Sequence, residues 1–431
     1  MKLTLKNIGK TGTASVEING ITVIAGENNT GKSTVGKALY CLFTAFHNIN
    51  DKIVEERSLS IYRAISAPFR KRRANIPMAP NGLRRIAEEI CKNRTRYIDS
   101  TDELRKVLEG IYKNNEVYDI GIENSAEDSI DAIFSKVFSY FSYLKLEDNT
   151  IKANVLKNIL QSEFNMQISH VNAQDLSSSM VLEFHGEKCI NVEVVNNEAI
   201  NIKSAIDIYS NLAYLEDPFV IDELANDLPF RFIRSENHRT KLIEMLTQKR
   251  TRSIVSNVIE EMIVSEKLEQ IFDILNHICE GNLTKQEDGY FYTSAKYDAP
   301  IALSNISTGF KTFLILKTLL MNGAIEEGGT IILDEPEIHL HPEWQLVFAE
   351  LIVLIHKEFG IHVLLNTHSP YFLNAIEVYA VKHGIDDKCK YYLASSNAEV
   401  SNIEDVTNNI EAIYSKLARP LQDLENERGQ L

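Results

Sequence analysis

Residues Gly26 to Ser33 read Gly-Glu-Asn-Asn-Thr-Gly-Lys-Ser, and few strings of eight residues limit a chain's options so strongly. The spacing is GxxxxGK[ST], preceded by the apolar run Ile21–Ala25 and followed by a helical pattern that extends to about Phe46. A strand that runs into a glycine turn and then a helix is the setting this motif needs in order to hold phosphate. Gly26 and Gly31 let the backbone bend and aim its N–H groups inward, and the new helix adds the partial positive charge of its N-terminus. The expected contact set is therefore Gly26, Glu27, Asn28, Asn29, Thr30, Gly31, Lys32, Ser33 and Thr34. Within it, Lys32 reaches the β- and γ-phosphates and the Ser33 hydroxyl binds Mg²⁺.

A second constellation lies about 300 residues later. Thr330–Pro336 reads Thr-Ile-Ile-Leu-Asp-Glu-Pro, a buried strand whose C-terminal tip carries Asp334 and Glu335. Open α/β sheets bind ligands at such tips. Asp334 is placed to hold Mg²⁺ through water, and Glu335 to accept a proton from an attacking water. Ser304–Phe313 reads Ser-Asn-Ile-Ser-Thr-Gly-Phe-Lys-Thr-Phe, and its apolar pattern continues to Met321 before a helix stop at Asn322-Gly323. Ser307, Thr308 and Gly309 thus sit at a helix N-terminus. Ile361–Pro370 reads as another buried strand, ending at His368.

In this order and spacing the four pieces resemble the ATP-binding cassette head, and more closely the SMC-like, OLD-type branch of bacterial ATPases. The run from Asp334 through His339, His341 and Glu343 to Trp344, and the tail Thr367-His-Ser-Pro370, look typical of that branch. The likeness covers residues 1–45 and roughly 300–378. It implies an α/β ATPase head, a mixed sheet with flanking helices, interrupted by a helical insertion. It also implies two heads closing face to face on ATP and Mg²⁺. Ser307 and Gly309 of one head would act in trans, while Lys32, Ser33, Asp334, Glu335 and His368 act in cis. Relatives usually carry a glutamine at the end of the strand after the first helix. That glutamine has no clear place here: Gln161, Gln167 and Gln174 end no convincing apolar strand, and Leu212–Phe219, with Glu216 or Asp217 near the metal, is one candidate segment that leaves the position open. Zinc binding by Glu337, His339, His341 and Glu343 is disfavoured by the i, i+2 histidine spacing and the absence of a nearby cysteine.

The rest of the chain sets bounds. At 431 residues it has ample core, and no run approaches the roughly 18 apolar residues of a membrane span. No signal-peptide block opens it, and Cys41, Cys91, Cys189, Cys279 and Cys389 are scattered without CxxC spacing, which suits a cytoplasmic protein. The net charge is −15, yet residues 61–96 hold ten basic residues against two acids. A phosphate-backbone contact through the Arg70–Arg73 region and a solvated stretch paired with acids are equally open readings.

The expected organisation is an N-terminal head segment over 1–50, a mainly helical insertion over 51–175, strands and helices rejoining the head over 176–300, the remaining head motifs over 301–400 and a helical tail over 401–431. Strands are expected at Lys2–Lys6, Ala14–Ile18 and Ile21–Ala25, with a meander over Met180–Ile202 that turns at His185-Gly186 and Asn196-Asn197. Within the insertion, a capping box at Ser100 and Glu103 precedes one apolar stripe, and Ile130–Phe141 forms another. A helix over 240–280, a strand over Tyr290–Lys296 and a polar helix over Ile403–Leu424 complete the reading. Only 63 residues follow His368, short of the roughly 100 that a nuclease domain of the toprim type needs. The favoured function is an ATPase that governs a separately encoded effector, a nuclease, in antiphage defence of the Septu type. The rival is a DNA-repair or recombination ATPase that engages DNA directly. A module that uses ATP as a structural ligand is a third reading, and a transporter subunit the weakest.

Overall fold

The computed structural model describes residues 1–71, 80–99, 101–113, 146–170, 172, 177–204, 206–225, 237–248, 258–397 and 400–428. The chain divides into two compact units. One is built from Met1–His47 with Val155–Leu431, the other from Asn48–Asn154.

The larger unit is organised by one twelve-stranded sheet. Its strands are β1 (Lys2–Ile8), β2 (Thr11–Glu17), β3 (Ile21–Gly26), β4 (Ser178–Phe184), β5 (Glu187–Val195), β6 (Glu198–Ala199), β7 (Lys203–Ser204), β8 (Leu212–Leu215), β12 (Thr330–Asp334), β13 (His362–Thr367), β14 (Cys389–Asn397) and β15 (Val400–Asp405). The remaining three, β9 (Asn282–Gln286), β10 (Gly289–Thr293) and β11 (Ile301–Ala302), form a small antiparallel sheet of their own. The main order is β6-β5-β4-β1-β2-β15-β14-β3-β13-β12-β8, with β7 paired to β5.

Two kinds of pairing share this sheet. From β14 through β3, β13 and β12 to β8, neighbours run parallel. Strands buried on both faces need continuous apolar runs, and β3, β8 and β12 are buried at every position. From β2 through β1 and β4 to β5 the pairing is antiparallel, and β2 alternates buried and exposed residues over most of its length. Its hairpins turn where glycine, asparagine and histidine tolerate left-handed backbone. His185 and Gly186 have φ 51° and 84°, and Asn196 and Asn197 have 51° and 63°.

Helices flank the parallel half. Pro342–Phe359 starts with proline and stops at Gly360, whose φ is 59°. Pro370–His383 has the Ser369 side chain accepting from the Phe372 amide and stops at Gly384. Thr308–Met321 ends at Asn322, with Gly323 left-handed beyond it. Phe313, Phe348 and Phe372, one from each of these helices, are fully buried in a common core with Ile21, Val23, Leu333 and Leu365. Among the described residues, no helix is long and apolar enough to cross a membrane.

The C-terminal region differs from the sequence expectation. Residues 400–405 form β15, so the helix begins at Glu411 rather than near 403. Only Ile403 and Ser401 are buried well in β15, too weak an alternation to announce a strand. The strand β14 was not anticipated. Ile410, Ile413, Tyr414 and Leu417 do pack on the core as one face. The expected strand at Tyr290–Lys296 is β10, ending at Thr293, because Ser294–Tyr297 closes a turn. The expected helix over 240–280 is two, His238–Thr247 and Val258–Ile278, and Lys249, Arg250 and Arg252 lie outside the described residues.

The smaller unit contains the helices Ile49–Lys71, Pro80–Lys92, Arg94–Asp99 and Thr101–Lys113. Asp148 Oδ1 lies 2.6 Å from the Arg57 guanidinium and 2.9 Å from that of Arg94. Arg96 pairs with Glu103 at 2.5 Å, and Arg84 lies 3.8 Å from Glu88. Part of the basic segment is therefore paired with acids of its own unit. Arg72, Arg73 and the apolar stripe Ile130–Phe141 lie outside the described residues, as do Ser100 of the capping box and Gln174.

Candidate functional site

The parallel strands β3, β13, β12 and β8 end on one side of the sheet, and the residues that follow them meet there. Register fixes the meeting. Ala25 pairs with Thr367, Asp334 with Asn366, and Leu333 with Leu215, so Gly26, His368, Asp334 and Glu216 stand at or just beyond neighbouring tips.

The turn after β3 is shaped by close approach. A Cβ on Gly26 would lie 2.3 Å from the Ala394 carbonyl oxygen of β14. Gly31 has φ 81°, and a Cβ there would meet the Thr11 hydroxyl at 2.6 Å. Asn29 is also left-handed, at φ 67°, and its side chain accepts a hydrogen bond from Lys10. Thr30 is buried and donates to the Glu27 carbonyl at 2.8 Å. Glu27, Asn28 and Asn29 are exposed, with the Glu27 carboxylate 3.6 Å from Lys416. Alternating left- and right-handed residues leave successive N–H groups on the inside of such a turn, a concavity suited to an anion. The helix Lys32–Phe46 then starts from Gly31 with no side-chain cap, so its first N–H groups are open to a ligand. Thr34 donates its amide to the Gly31 carbonyl, 3.1 Å away.

Lys32 is 4% exposed, and its ammonium group donates to the Gly26 and Glu27 carbonyls at 3.0 and 2.8 Å. The same nitrogen lies 3.5 Å from Glu335 Oε1, which is 3.3 Å from His368 Nδ1. Three segments far apart in the chain thus converge on one carboxylate. Glu335 reaches this place through a left-handed backbone, φ 50°, a conformation that costs a non-glycine residue about 1–2 kcal/mol. Strain of this kind clusters at functional sites.

Asp334 is buried and accepts from three donors: the Ser33 hydroxyl, Asn366 Nδ2 at 3.0 Å and the Tyr214 hydroxyl at 3.0 Å. Burial raises its pKa, and the three hydrogen bonds oppose the rise. Ser33 and Asp334 are the residues present that fit a divalent cation beside a phosphate. Magnesium is held by one or two protein oxygens together with phosphate oxygens and water rather than by an all-protein cage. Among the described residues, no group of three histidines, cysteines or carboxylates is set to hold a metal alone.

Tyr214 and Asn366 escape the sequence reading, and Glu337 enters it only as a disfavoured zinc ligand. Tyr214 lies in the apolar run of β8, where nothing marks its hydroxyl as a donor to Asp334. Asn366 is fully buried in β13. Glu337 is 2% exposed; it accepts from the Thr367 hydroxyl and, at 3.3 Å, from the His368 amide, so it holds the turn that presents His368. Burial raises its pKa. His339 packs edge-on against Phe219, ring centroids 5.6 Å apart. Glu216 directly follows β8 and bonds His238; Asp217 lies 3.4 Å from Arg239.

The signature residues stand on another element. Ser307 precedes the helix Thr308–Met321 without a side-chain cap bond. A Cβ on Gly309 would lie 2.6 Å from the His339 carbonyl oxygen, so the helix start is packed directly against the loop that follows β12. Among the described residues, neither Ser307 nor Gly309 forms a hydrogen bond or ion pair with Lys32, Asp334 or Glu335.

Comparison with known proteins gives this geometry a family. A protein named retron Vc95 probable ATPase, from Vibrio cholerae serotype O1 biovar El Tor, is 27% identical over 137 residues. That match covers 29% of this chain and spans only 26% of the relative's length. Solved structures with similar folds include the SMC head domain from Thermotoga maritima, with 12% identity, TM-score 0.36 and coverage of 94% of this chain and 98% of that one. An SMC head bound to the C-winged helix domain of ScpA gives 13% identity and TM-score 0.42, covering 94% and 96%. These scores are low, and the mixed α/β architecture is read from the sheet itself. The model of the AAA ATPase domain family matches residues 1–373, from the first strand of the sheet past His368, and the chain belongs to that family.

Proposed function

We propose that this chain binds Mg-ATP at the tips of its parallel strands, hydrolyses it, and through that cycle governs a separately encoded effector, a nuclease, in antiphage defence. The carrying observation is the convergence of Lys32, Glu335 and His368, with Glu335 Oε1 3.5 and 3.3 Å from its two neighbours. An uncapped helix start, a buried lysine and a carboxylate aimed by strained backbone suit phosphoryl transfer to water. The Lys32 ammonium, held over the loop by two carbonyls, is placed to bind the terminal phosphates. Ser33 and, through water, Asp334 would hold Mg²⁺, which neutralises charge developing on the phosphate oxygens. Glu335 takes the proton of the attacking water, and His368 orients that carboxylate and the terminal phosphate.

Ser307 and Gly309 are assigned to the nucleotide of a second copy. Their support is the family resemblance together with a helix N-terminus that has no side-chain cap. The defence setting rests on the same resemblance and on the relative named as a retron's probable ATPase. Direct engagement of DNA is the second reading. It draws on the basic residues of 61–96, but Arg84, Arg94 and Arg96 are paired within their own unit, which favours the first.

Phosphate release by the purified full chain tests the proposal. Lys32→Ala should lose nucleotide binding. Glu335→Gln should keep binding and lose about 10²–10⁴-fold in turnover, the usual contribution of a general base. Wild-type turnover in Glu335→Gln would overturn the assignment of the base, and wild-type binding in Lys32→Ala would overturn the site.

A further inference from the structure

The phosphate loop carries one acid, and the fold pairs that acid with a residue from the far end of the chain. Across residues 26–34 the charged side chains are Glu27 and Lys32. Glu27 is held at both ends. Its backbone carbonyl accepts from the Lys32 ammonium and from the Thr30 hydroxyl, each at 2.8 Å. Its carboxylate, on a side chain that is 60% exposed, lies 3.6 Å from the ammonium of Lys416. Lys416 belongs to the helix Glu411–Arg428, beyond residue 373, where the match to the AAA ATPase domain family ends.

That helix is fixed on both sides of Lys416. Ile413 is fully buried, and Ile410, Tyr414 and Leu417 pack on the same core. The Tyr414 hydroxyl donates to Glu377 of the helix Pro370–His383, which starts two residues after His368. Lys416 therefore springs from an anchored turn and reaches the loop from a set position. The same C-terminal stretch frames the loop elsewhere. The Ala394 carbonyl of β14 faces Gly26, and Ser401 of β15 donates its amide to the Lys10 carbonyl at 3.2 Å, while the Lys10 side chain bonds Asn29 of the loop.

An exposed ion pair adds little to stability, because water screens it and two long side chains must be ordered. It matters more to a neighbouring polyanion, each of whose charges feels the Glu27 carboxylate. The loop gathers positive potential from its N–H groups, a helix N-terminus and Lys32, and a bare carboxylate at its second position would oppose a triphosphate. We propose that Lys416 is the counter-charge of the phosphate loop: it neutralises Glu27 and thereby raises the affinity of the site for the triphosphate. Lys416 acts through Glu27, so it is a positioning residue and not a catalytic one. This inference rests on the nucleotide reading above and brings the C-terminal helix into that site.

The test is fluorescence titration of the full chain with N-methylanthraniloyl-ATP in excess Mg²⁺, at low and at high salt, with melting temperatures recorded alongside. Lys416→Met should weaken binding about 3–10-fold at low salt, the scale of one unit charge acting through water on a nearby polyanion. Lys416→Glu should weaken it further, by about the square of that factor, because the charge changes by two units. Glu27→Gln should tighten binding, and the double variant Glu27→Gln/Lys416→Met should return to the wild-type value. All of these shifts should shrink as added salt shortens the screening length. Glu27→Gln alters an exposed side chain, so it decides the matter even if a helix variant does not fold. Unchanged affinity in Lys416→Met and Glu27→Gln, with only the melting temperature lowered, reduces the pair to a fastening of the helix and overturns the proposal. A loss in Lys416→Met that Glu27→Gln does not restore, or that persists at high salt, means that Lys416 grips the nucleotide itself and overturns it too. Failure of the wild-type chain to bind the nucleotide under any of these conditions overturns the nucleotide reading and this inference together.

Discussion

The two halves of the main sheet use the same backbone conformation for different ends. In the antiparallel half, His185, Gly186, Asn196 and Asn197 are left-handed and lie at hairpin turns. These residue types tolerate positive φ, and what they achieve is topology. In the parallel half, left-handed residues lie at strand tips: Asn29 in the loop after β3 and Glu335 at the exit of β12. Asparagine tolerates that conformation; glutamate has no reason to prefer it. The comparison shows that positive φ alone is uninformative, since Met166 also carries it, at 66°, in a turn after a helix; at Glu335 it coincides with the approach of Lys32 and His368 to one carboxylate. The parallel half also places a buried lysine, carboxylates and histidines around its tips, whereas the antiparallel strands offer polar residues mainly to solvent.

The largest expected effect lies in a buried ionic chain beside β8, where His238 Nδ1 lies 2.6 Å from Glu163 Oε1 and its Nε2 lies 2.9 Å from Glu216 Oε2. Removing one member of a buried ion pair typically costs about 3–5 kcal/mol, because the other is left uncompensated. His238→Gln should lower stability by that order. The pH dependence follows from the groups that face the ring, namely Glu163, Glu216, Tyr40 and Tyr214, with Lys37 beyond Glu216. Burial lowers the His238 pKa, but the two carboxylates outweigh it and the net shift is upward from 6.5. A raised histidine pKa contributes stability that is complete below the unfolded value and fades as pH rises through the folded one. The hydrogen bond from His238 pulls the Glu216 pKa down to about 2, so its contribution is present above 4.5 and fades as pH falls from there through about 2. Urea titrations of wild type and His238→Gln should therefore differ most below pH 6.5 and converge as the solution becomes alkaline. A gap that widens with pH would mean the histidine is buried neutral.

Next in size is the loop itself. Gly26→Ala would force a Cβ to within 2.3 Å of a backbone oxygen of β14, an atom that cannot swing aside. Overpacking of this kind costs about 1–3 kcal/mol, and here the displaced groups are the N–H groups proposed to face phosphate. Both melting temperature and nucleotide affinity should fall. Intact affinity would mean that the turn after β3 adapts freely, and would weaken the contrast between the two halves.

What could be read in the sequence follows from where the information lies. The phosphate loop, Asp334, Glu335 and His368 announce themselves because each is a short local pattern at the end of an apolar strand. The turns at His185-Gly186 and Asn196-Asn197 were legible for the same reason. The ionic chain was not. Glu163, Glu216 and His238 belong to three elements separated by tens of residues, and nothing near any of them specifies a partner. Tyr214 reads as one more apolar residue of β8 until β12 pairs with it. β14 and β15 lie after the last motif, and β15 alternates too weakly to show.

The smallest effect probes the antiparallel half directly. Asn196 is exposed, left-handed and at a hairpin that β5 and β6 share. Asn196→Ala keeps the turn but places a β-carbon where φ is 51°, at an expected cost of about 1 kcal/mol. Asn196→Gly removes that strain and differs from wild type by only a few tenths of a kcal/mol, because glycine's greater freedom in the unfolded chain opposes the gain. Neither should alter nucleotide affinity or its Mg²⁺ dependence. Denaturant midpoints for the pair, read beside a titration with a fluorescent ATP analogue across a Mg²⁺ series, make the hairpin a control for the tips. A change in Mg²⁺ dependence from Asn196→Ala would show that the two halves are mechanically coupled, and the division of labour between them would have to be abandoned.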